Sequence, residues 1–187
     1  MKNLLAFSGS SRLNSINQSL LQALVRLARE KGAVVETLDL KSLHLPIYDG
    51  DIEAANGLPD GAKVLKEAMR TADGFIITSP EYNSFPTPLL LNAIDWASRP
   101  EHPDEPPLVA FKKKSAALFA TSPGPMGGQR SLWALRTKLQ NIGVTVVPSL
   151  VGIGSGNQDM FVDPEFGSSS SGKRAQSALD ALLSLQV

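Results

Sequence analysis

The stretch NLLAFSGSSRLNSINQSLLQALVRLARE (residues 3–30) reads as a strand, a polar turn and a helix in direct succession. Asn3 to Phe7 is a short apolar run of the kind buried on both faces of a sheet. The residues from Ser8 to Asn14 form a loop. Ile16, Leu20, Leu24, Leu27 and Ala28 then recur at helical spacing. Ser15 precedes them with Gln18 three residues on, a capping-box pattern. Gly32 closes the helix. A buried strand feeding an amphipathic helix is the unit from which parallel sheets are assembled.

The same alternation continues outward. Strands are expected at AVVETLDL (33–40), GFIITS (74–79), SAALFAT (115–121) and, briefly, VTVVP (144–148). Between and after them, Ala62, Leu65, Met69 and Ala72 fall at helical spacing, as do Leu132, Leu135, Leu139 and Ile142. A last set is Ala175, Ala178, Leu179 and Leu182. Residues 44–59 are rich in turn formers and read as a long loop, and 157–172, with its GSSSSG tract, carries no assigned role. Five apolar strands separated by helices predict one α/β domain over 1–187, a parallel sheet with helices on both faces. Ligands bind such sheets outside the carboxyl ends of the strands, where strand order reverses. That selects three loops: Ser8–Ser15, Ser79–Pro88 and Thr121–Ser131.

Composition narrows the chemistry. The 187 residues carry 18 basic and 18 acidic side chains, so no polybasic face for nucleic acid or anionic membrane is implied. The balance also lacks the acidic excess of a carrier that docks on basic redox partners. With no cysteine, disulfides, thiolate catalysis and Cys metal sites are excluded, and a redox function needs a bound cofactor. The opening MKNLLAFSGSSR has an apolar run too short for a signal peptide, and no stretch reaches membrane-spanning length. A cytoplasmic location is expected.

The first loop, SGSSRLNSIN, sets Ser8, Ser10, Ser11, Asn14, Ser15 and Asn17 around Gly9 and Arg12 at a helix N-terminus. Free backbone N–H groups and the macrodipole attract phosphate there, hydroxyls donate to its oxygens, and Arg12 adds a charge-assisted pair. The alternative is a polar turn whose serines only cap the helix. Neither GxxxxGK(S/T) nor GxGxxG is present. Hydroxyls plus one Arg suit a terminal monophosphate, as on a mononucleotide such as FMN. In the third-strand loop, Pro80 and Pro86 stiffen the backbone; in the fourth, Gly124, Gly127 and Gly128 permit close backbone approach, or simply a flexible turn. His44 and His102 lie in no nucleophile pattern, GxSxG is absent, and Asp95 and Trp96 fit packing and capping. No catalytic side chain and no metal site is expected.

Taken together and in order, SGSSRLNSIN, SPEYNSFPTPLLLNAIDWASRP and TSPGPMGGQR resemble the NADPH-dependent FMN reductase family over about the first 150 residues. The resemblance implies a flavodoxin-like three-layer sandwich with strand order 2-1-3-4-5. It implies FMN as cofactor, NADPH or NADH as reductant, and a small-molecule acceptor such as a quinone. Carried over by position, Ser10, Arg12, Ser15, Ile16 and Asn17 correspond to the phosphate site. Pro80, Glu81, Tyr82, Asn83 and Ser84 correspond to the loop beside the isoalloxazine ring, and Ser122, Gly124, Gly127 and Gly128 to the loop near its pyrimidine end. Many members carry a Pro–Gly pair and a Lys ahead of the helix Asn, where this chain has Thr87, Pro88 and Leu91. The consecutive Leu89, Leu90 and Leu91 cannot all face one core, which fits the homodimers or homotetramers that the resemblance implies. Two other readings remain open: a flavodoxin-type electron carrier without turnover, and a flavin-free interaction domain.

Overall fold

The computed structural model describes residues 1–186. Strands β1 (Asn3–Ser8), β2 (Val34–Leu38), β3 (Gly74–Thr78), β4 (Lys114–Thr121) and β5 (Val144–Ile153) form one sheet in the order β2-β1-β3-β4-β5. Every pairing is parallel. The helices are α1 (Ile16–Glu30), α2 (Gly50–Asn56), α3 (Asp60–Thr71), α4 (Pro88–Ala97), α5 (Gln129–Asn141), α6 (Gln158–Val162) and α7 (Ser170–Ser184). This is the parallel α/β sheet that the residue pattern predicts, in the flavodoxin-like strand order that the family resemblance implies.

Strand periodicity sorts the core into two layers. Leu4, Ala6, Ile76, Ala117 and Phe119 face one side and pack on Leu20, Leu24 and Ala28 of α1 and on Ala175, Leu179 and Leu182 of α7. Their neighbours Leu5, Phe7, Phe75, Ile77 and Leu118 face the other side. There they meet Leu65 and Met69 of α3, Leu90 and Ile94 of α4, and Leu132, Leu135 and Leu139 of α5. Because both faces are covered, the central strands read as unbroken apolar runs rather than alternating ones. No helix among the described residues is long and apolar enough to cross a membrane.

Three segments differ from the sequence reading. β5 continues past Pro148 to Ile153, because an edge strand can lose a donor and the register shifts opposite Ala116 and Leu118. The expected loop 44–59 contains α2, whose N-terminus is capped by the Asp49 carboxylate accepting from the Asp51 N–H at 2.8 Å. Residues 157–172 hold α6 and a 3-10 turn, and Phe161 and Phe166 meet edge to face at 5.3 Å within the layer under α1.

The connection from α4 to β4 is fastened by a buried cation. Lys66 of α3, its side chain 5% exposed, donates to the Glu105 carboxylate at 2.6 Å and to the Arg99 carbonyl at 2.7 Å. Burial pushes the Glu105 carboxyl up, but hydrogen bonds from Lys66 and from the Glu101 and His102 N–H groups, with the Lys66 charge, outweigh it and hold it below 4.5. A depressed carboxylate stabilises the fold above its unfolded pKa and loses that contribution as pH falls through the folded one. Lys66→Met should therefore cost about 2–4 kcal/mol at neutral pH, slightly under the range for a fully buried pair because Glu105 lies near the surface. Urea unfolding should show this deficit shrinking as pH drops below 4.5; a deficit independent of pH would mean the pair contributes nothing electrostatically.

Candidate functional site

Strand order reverses between the neighbours β1 and β3, and the carboxyl ends of β1, β3 and β4 flank that topological switch point. The three loops chosen from sequence all leave the sheet at this edge. At the first, Gly9 donates its N–H to Thr78 C=O at 2.8 Å. The Ser8 hydroxyl accepts from Ser10 N–H at 3.3 Å, and the Ser10 hydroxyl accepts from Arg12 N–H at 3.4 Å. This succession curls the loop back over the sheet. Ser15 then caps α1, accepting from Asn17 N–H at 3.2 Å and Gln18 N–H at 3.3 Å, which is the serine half of the expected capping box, without a return bond from the Gln18 side chain. Ser11, Arg12, Leu13 and Asn14 are exposed. The N–H groups of Ser11, Leu13 and Ile16 find no partner among the described residues. Residues 8–17 include no acidic side chain, so the loop offers donors and one positive charge to whatever it meets.

Asn17 is turned the other way. Its side chain is buried, donating to Thr121 C=O at 2.9 Å and accepting from Thr121 N–H at 3.1 Å. Its amide therefore ties α1 to the end of β4. Thr78, at the end of β3, adds its hydroxyl to Asn17 C=O at 3.0 Å.

The third-strand loop is a miniature hairpin. Tyr82 and Phe85 exchange N–H···O=C bonds of 3.0 Å each. Asn83 and Ser84 between them have φ of 53° and 68°, the left-handed pair of a type I′ turn. Neither is glycine, so the turn carries strain that its surroundings must hold. Tyr82 and Phe85 stay 42% and 57% exposed, presenting aromatic surface that the protein itself does not cover. The Glu81 side chain is engaged within the fold. Its carboxylate accepts from Ser131 N–H at 3.1 Å and from Arg130 Nε at 2.9 Å. The first residue of α5 follows Gly128, which has no side chain to cap it, and Glu81 caps the helix from across the site.

The fourth loop needs two of its glycines for the protein's own packing. Gly127 and Gly128 have φ of 60° and 80°. A Cβ at Gly127 would come within 2.5 Å of the Ile153 backbone, and one at Gly128 within 2.7 Å of Ala120 Cβ. Gly124 differs, since a Cβ there would find nothing nearer than Ser122 Oγ at 3.8 Å. The loop is braced from outside: Gly124 C=O accepts from Ser155 N–H at 3.1 Å, and Ser122 C=O from Gly156 N–H at 2.9 Å. The sequence reading missed this brace, and it missed Thr78, Thr87 and Thr121, which fasten the strand ends. Only Thr87 had a local signal, a Thr directly ahead of Pro at the start of a helix.

The rest of the long third-strand motif serves packing. Asn92 and Trp96 both donate to Pro46 C=O at 2.8 Å, and Asp95 pairs with Lys138 at 2.8 Å. His44 ends a 3-10 turn after β2, and His102 lies exposed in the connection following α4.

Known proteins resemble the chain in sequence and in fold. The model of the NADPH-dependent FMN reductase family matches residues 2–158. The chain is 37% identical over 135 residues to an NAD(P)H-dependent FMN reductase of Pseudomonas aeruginosa, spanning 72% of this chain and 68% of that protein. It is 34% identical over 160 residues to the quinone reductase of Escherichia coli, spanning 85% and 80%. Among solved structures, FerB from Paracoccus denitrificans, described as a flavoenzyme NAD(P)H:(acceptor) oxidoreductase, superposes with a TM-score of 0.76 at 27% identity, covering 98% of this chain and 96% of that one.

The Glu81 contact makes a direct prediction. Glu81→Ala removes the only side-chain acceptor at the start of α5 among the described residues, and should cost about 1 kcal/mol, the typical value of a lost N-terminal cap. Glu81→Gln keeps an acceptor and should lose less. Urea unfolding checks the pair, and equal losses for both variants would show that the carboxylate charge, not the cap, matters.

Proposed function

The chain belongs to the NADPH-dependent FMN reductase family, and from that premise we propose that its three strand-end loops together hold FMN. Its activity is that of an FMN-dependent oxidoreductase drawing on NAD(P)H. The observation that carries the site assignment is the acid-free, donor-lined Ser8–Asn17 loop at the N-terminus of α1. It stands at the switch point of a flavodoxin-like sheet, beside an exposed, strained hairpin.

The donor set fits a phosphate monoester. Arg12 supplies charge, Ser10 and Ser15 shape the loop, and backbone N–H groups, that of Ile16 among them, point out of the first turn of α1. Asn17 contributes by holding α1 in place rather than by donating from its side chain. Pro80, Tyr82, Asn83 and Ser84 form the rim that would meet the ring system, with Glu81 fixing that rim to α5. Ser122, Gly124, Gly127 and Gly128 would line its other end. Gly124 supports this assignment, because the protein's own packing leaves a Cβ there unopposed and a close ligand accounts for its absence.

When bound, the flavin supplies two-electron chemistry between NAD(P)H and an acceptor. The protein's share is binding, orientation and exclusion of water. No acid–base side chain is assigned, in keeping with that division. A quinone is the proposed acceptor, supported by the relatives named quinone reductases. We further assign the 187 residues to one FMN-binding domain located in the cytoplasm. A homodimer or homotetramer is supported by exposed Phe85 and Trp133.

Purified protein supplied with FMN should oxidise NADPH steadily when given a quinone. A flavin spectrum without turnover would indicate an electron carrier instead, and failure to bind FMN would overturn both readings. Arg12→Ala should weaken FMN binding by about 1.5–3 kcal/mol, the range for a hydrogen bond to a charged group. Titration with an unchanged Kd would remove Arg12 from the phosphate site.

A further inference from the structure

Thr87 occupies the position where the phosphate loop and the ring-facing loop meet. It is 1% exposed, and its hydroxyl donates to Gly9 C=O at 2.6 Å while accepting from Leu90 N–H at 3.3 Å. One oxygen thus caps α4 and grips the first residue after β1. Gly9 is held from its other side too, since its N–H donates to Thr78 C=O at 2.8 Å. There is no slack around it: a Cβ on Gly9 would lie 2.8 Å from Thr87 Oγ1, 3.0 Å from Leu90 Cβ and 3.1 Å from Ser79 Oγ. Pro86 and Pro88 flank Thr87. The residue before a proline is confined to extended backbone, and Thr87 sits there at φ −67° and ψ 150°. Its hydroxyl is aimed by the chain on both sides.

We propose that Thr87 is a positioning residue that couples the two ends of the FMN site, setting the spacing of the Ser8–Ser15 loop from the Pro80–Ser84 hairpin. The inference rests on the FMN reading above. A ligand that touches both loops gains when they are held apart at the right distance before it arrives, because ordering them then costs nothing at binding. A ligand that engages the hairpin but lacks a phosphate gains much less. Thr87 touches neither end of the ligand in this account and acts only through Gly9 and α4.

The experiment is a cycle of two flavins and three proteins: FMN and riboflavin titrated into the unaltered chain, Thr87→Val and Thr87→Ser. Valine keeps the shape and removes the hydroxyl; serine restores it. Thr87→Val should raise the FMN Kd about 5- to 10-fold, the effect of one buried hydrogen bond. It should change the riboflavin Kd by less than about 2-fold, and Thr87→Ser should return the FMN value most of the way. A merely structural role would weaken both flavins alike, and equal losses, or none, overturn the proposal. If even the unaltered chain binds no FMN, the FMN reading itself falls, which is a different and recognisable result. Should Thr87→Val fail to fold, amide hydrogen exchange in the unaltered protein decides. FMN should slow exchange at Leu90 N–H, the group Thr87 caps, and riboflavin should not; no difference between the two flavins overturns the coupling.

Discussion

At the carboxyl edge of a parallel sheet the strands run out of ladder partners, and backbone groups left there must be satisfied or exposed. In this chain the buried side chain of Asn17 closes part of that edge by pairing with both backbone groups of Thr121, while Thr78 returns a hydroxyl to the Asn17 carbonyl. Each such bond contributes about 1 kcal/mol net, yet deleting one partner strands the other at a cost of about 1–3 kcal/mol. The arrangement is therefore hard to lose piecemeal. Its geometric effect matters more: α1 cannot slide or rotate against β3 and β4, so the free N–H groups of its first turn keep a fixed direction.

The same economy runs around the site. Gly9 is tied to β3 and α4, Glu81 to α5, and Ser122 and Gly124 to the turn after β5. These contacts satisfy polar groups that folding would otherwise leave unpaired, while Arg12, Tyr82 and Phe85 stay exposed. Asn83 and Ser84 hold positive φ because the mutual Tyr82–Phe85 bonds and the Glu81 anchor determine the hairpin around them. Strain of this kind persists where the surroundings over-determine it. A site made this way binds with little rearrangement, which suits chemistry in which the cofactor moves the electrons and the protein supplies position.

The layers were legible because their signals are local. Leu20, Leu24, Leu27 and Ala28 declare a helix face without reference to anything distant, and Ser15 announces its cap. The five strands follow from apolar runs that must be buried on both sides. β5 was cut short because Pro148 forbids a central strand but not an edge strand, and edge position is a property of the whole sheet. The direction of Asn17 and Glu81 was not legible for a related reason. Each belongs to a loop matching the family's ligand loops, yet their partners, Thr121 and Ser131, are 104 and 50 residues away. Sequence spacing names the loop a residue sits in; only the packed neighbour decides whether its side chain faces the ligand or the fold.

Thr87 and Pro88 show how a departure from the family pattern can preserve what the pattern achieves. A Pro–Gly pair at this place stiffens the helix entrance with proline's own ring and leaves the next residue free to turn. Here the prolines stand at 86 and 88, so the residue between them is restrained by its neighbours instead of by its own ring. That frees position 87 to carry a side chain, and the side chain present is one that can donate and accept at once. Valine would satisfy the backbone restraint but leave Gly9 C=O without that donor in a buried setting, and glycine would forfeit both. Within the pattern Pro-x-Pro, the requirement to cap α4 and hold Gly9 together selects a small hydroxyl residue, and threonine, with its restricted χ1, holds the oxygen at lower entropic cost than serine.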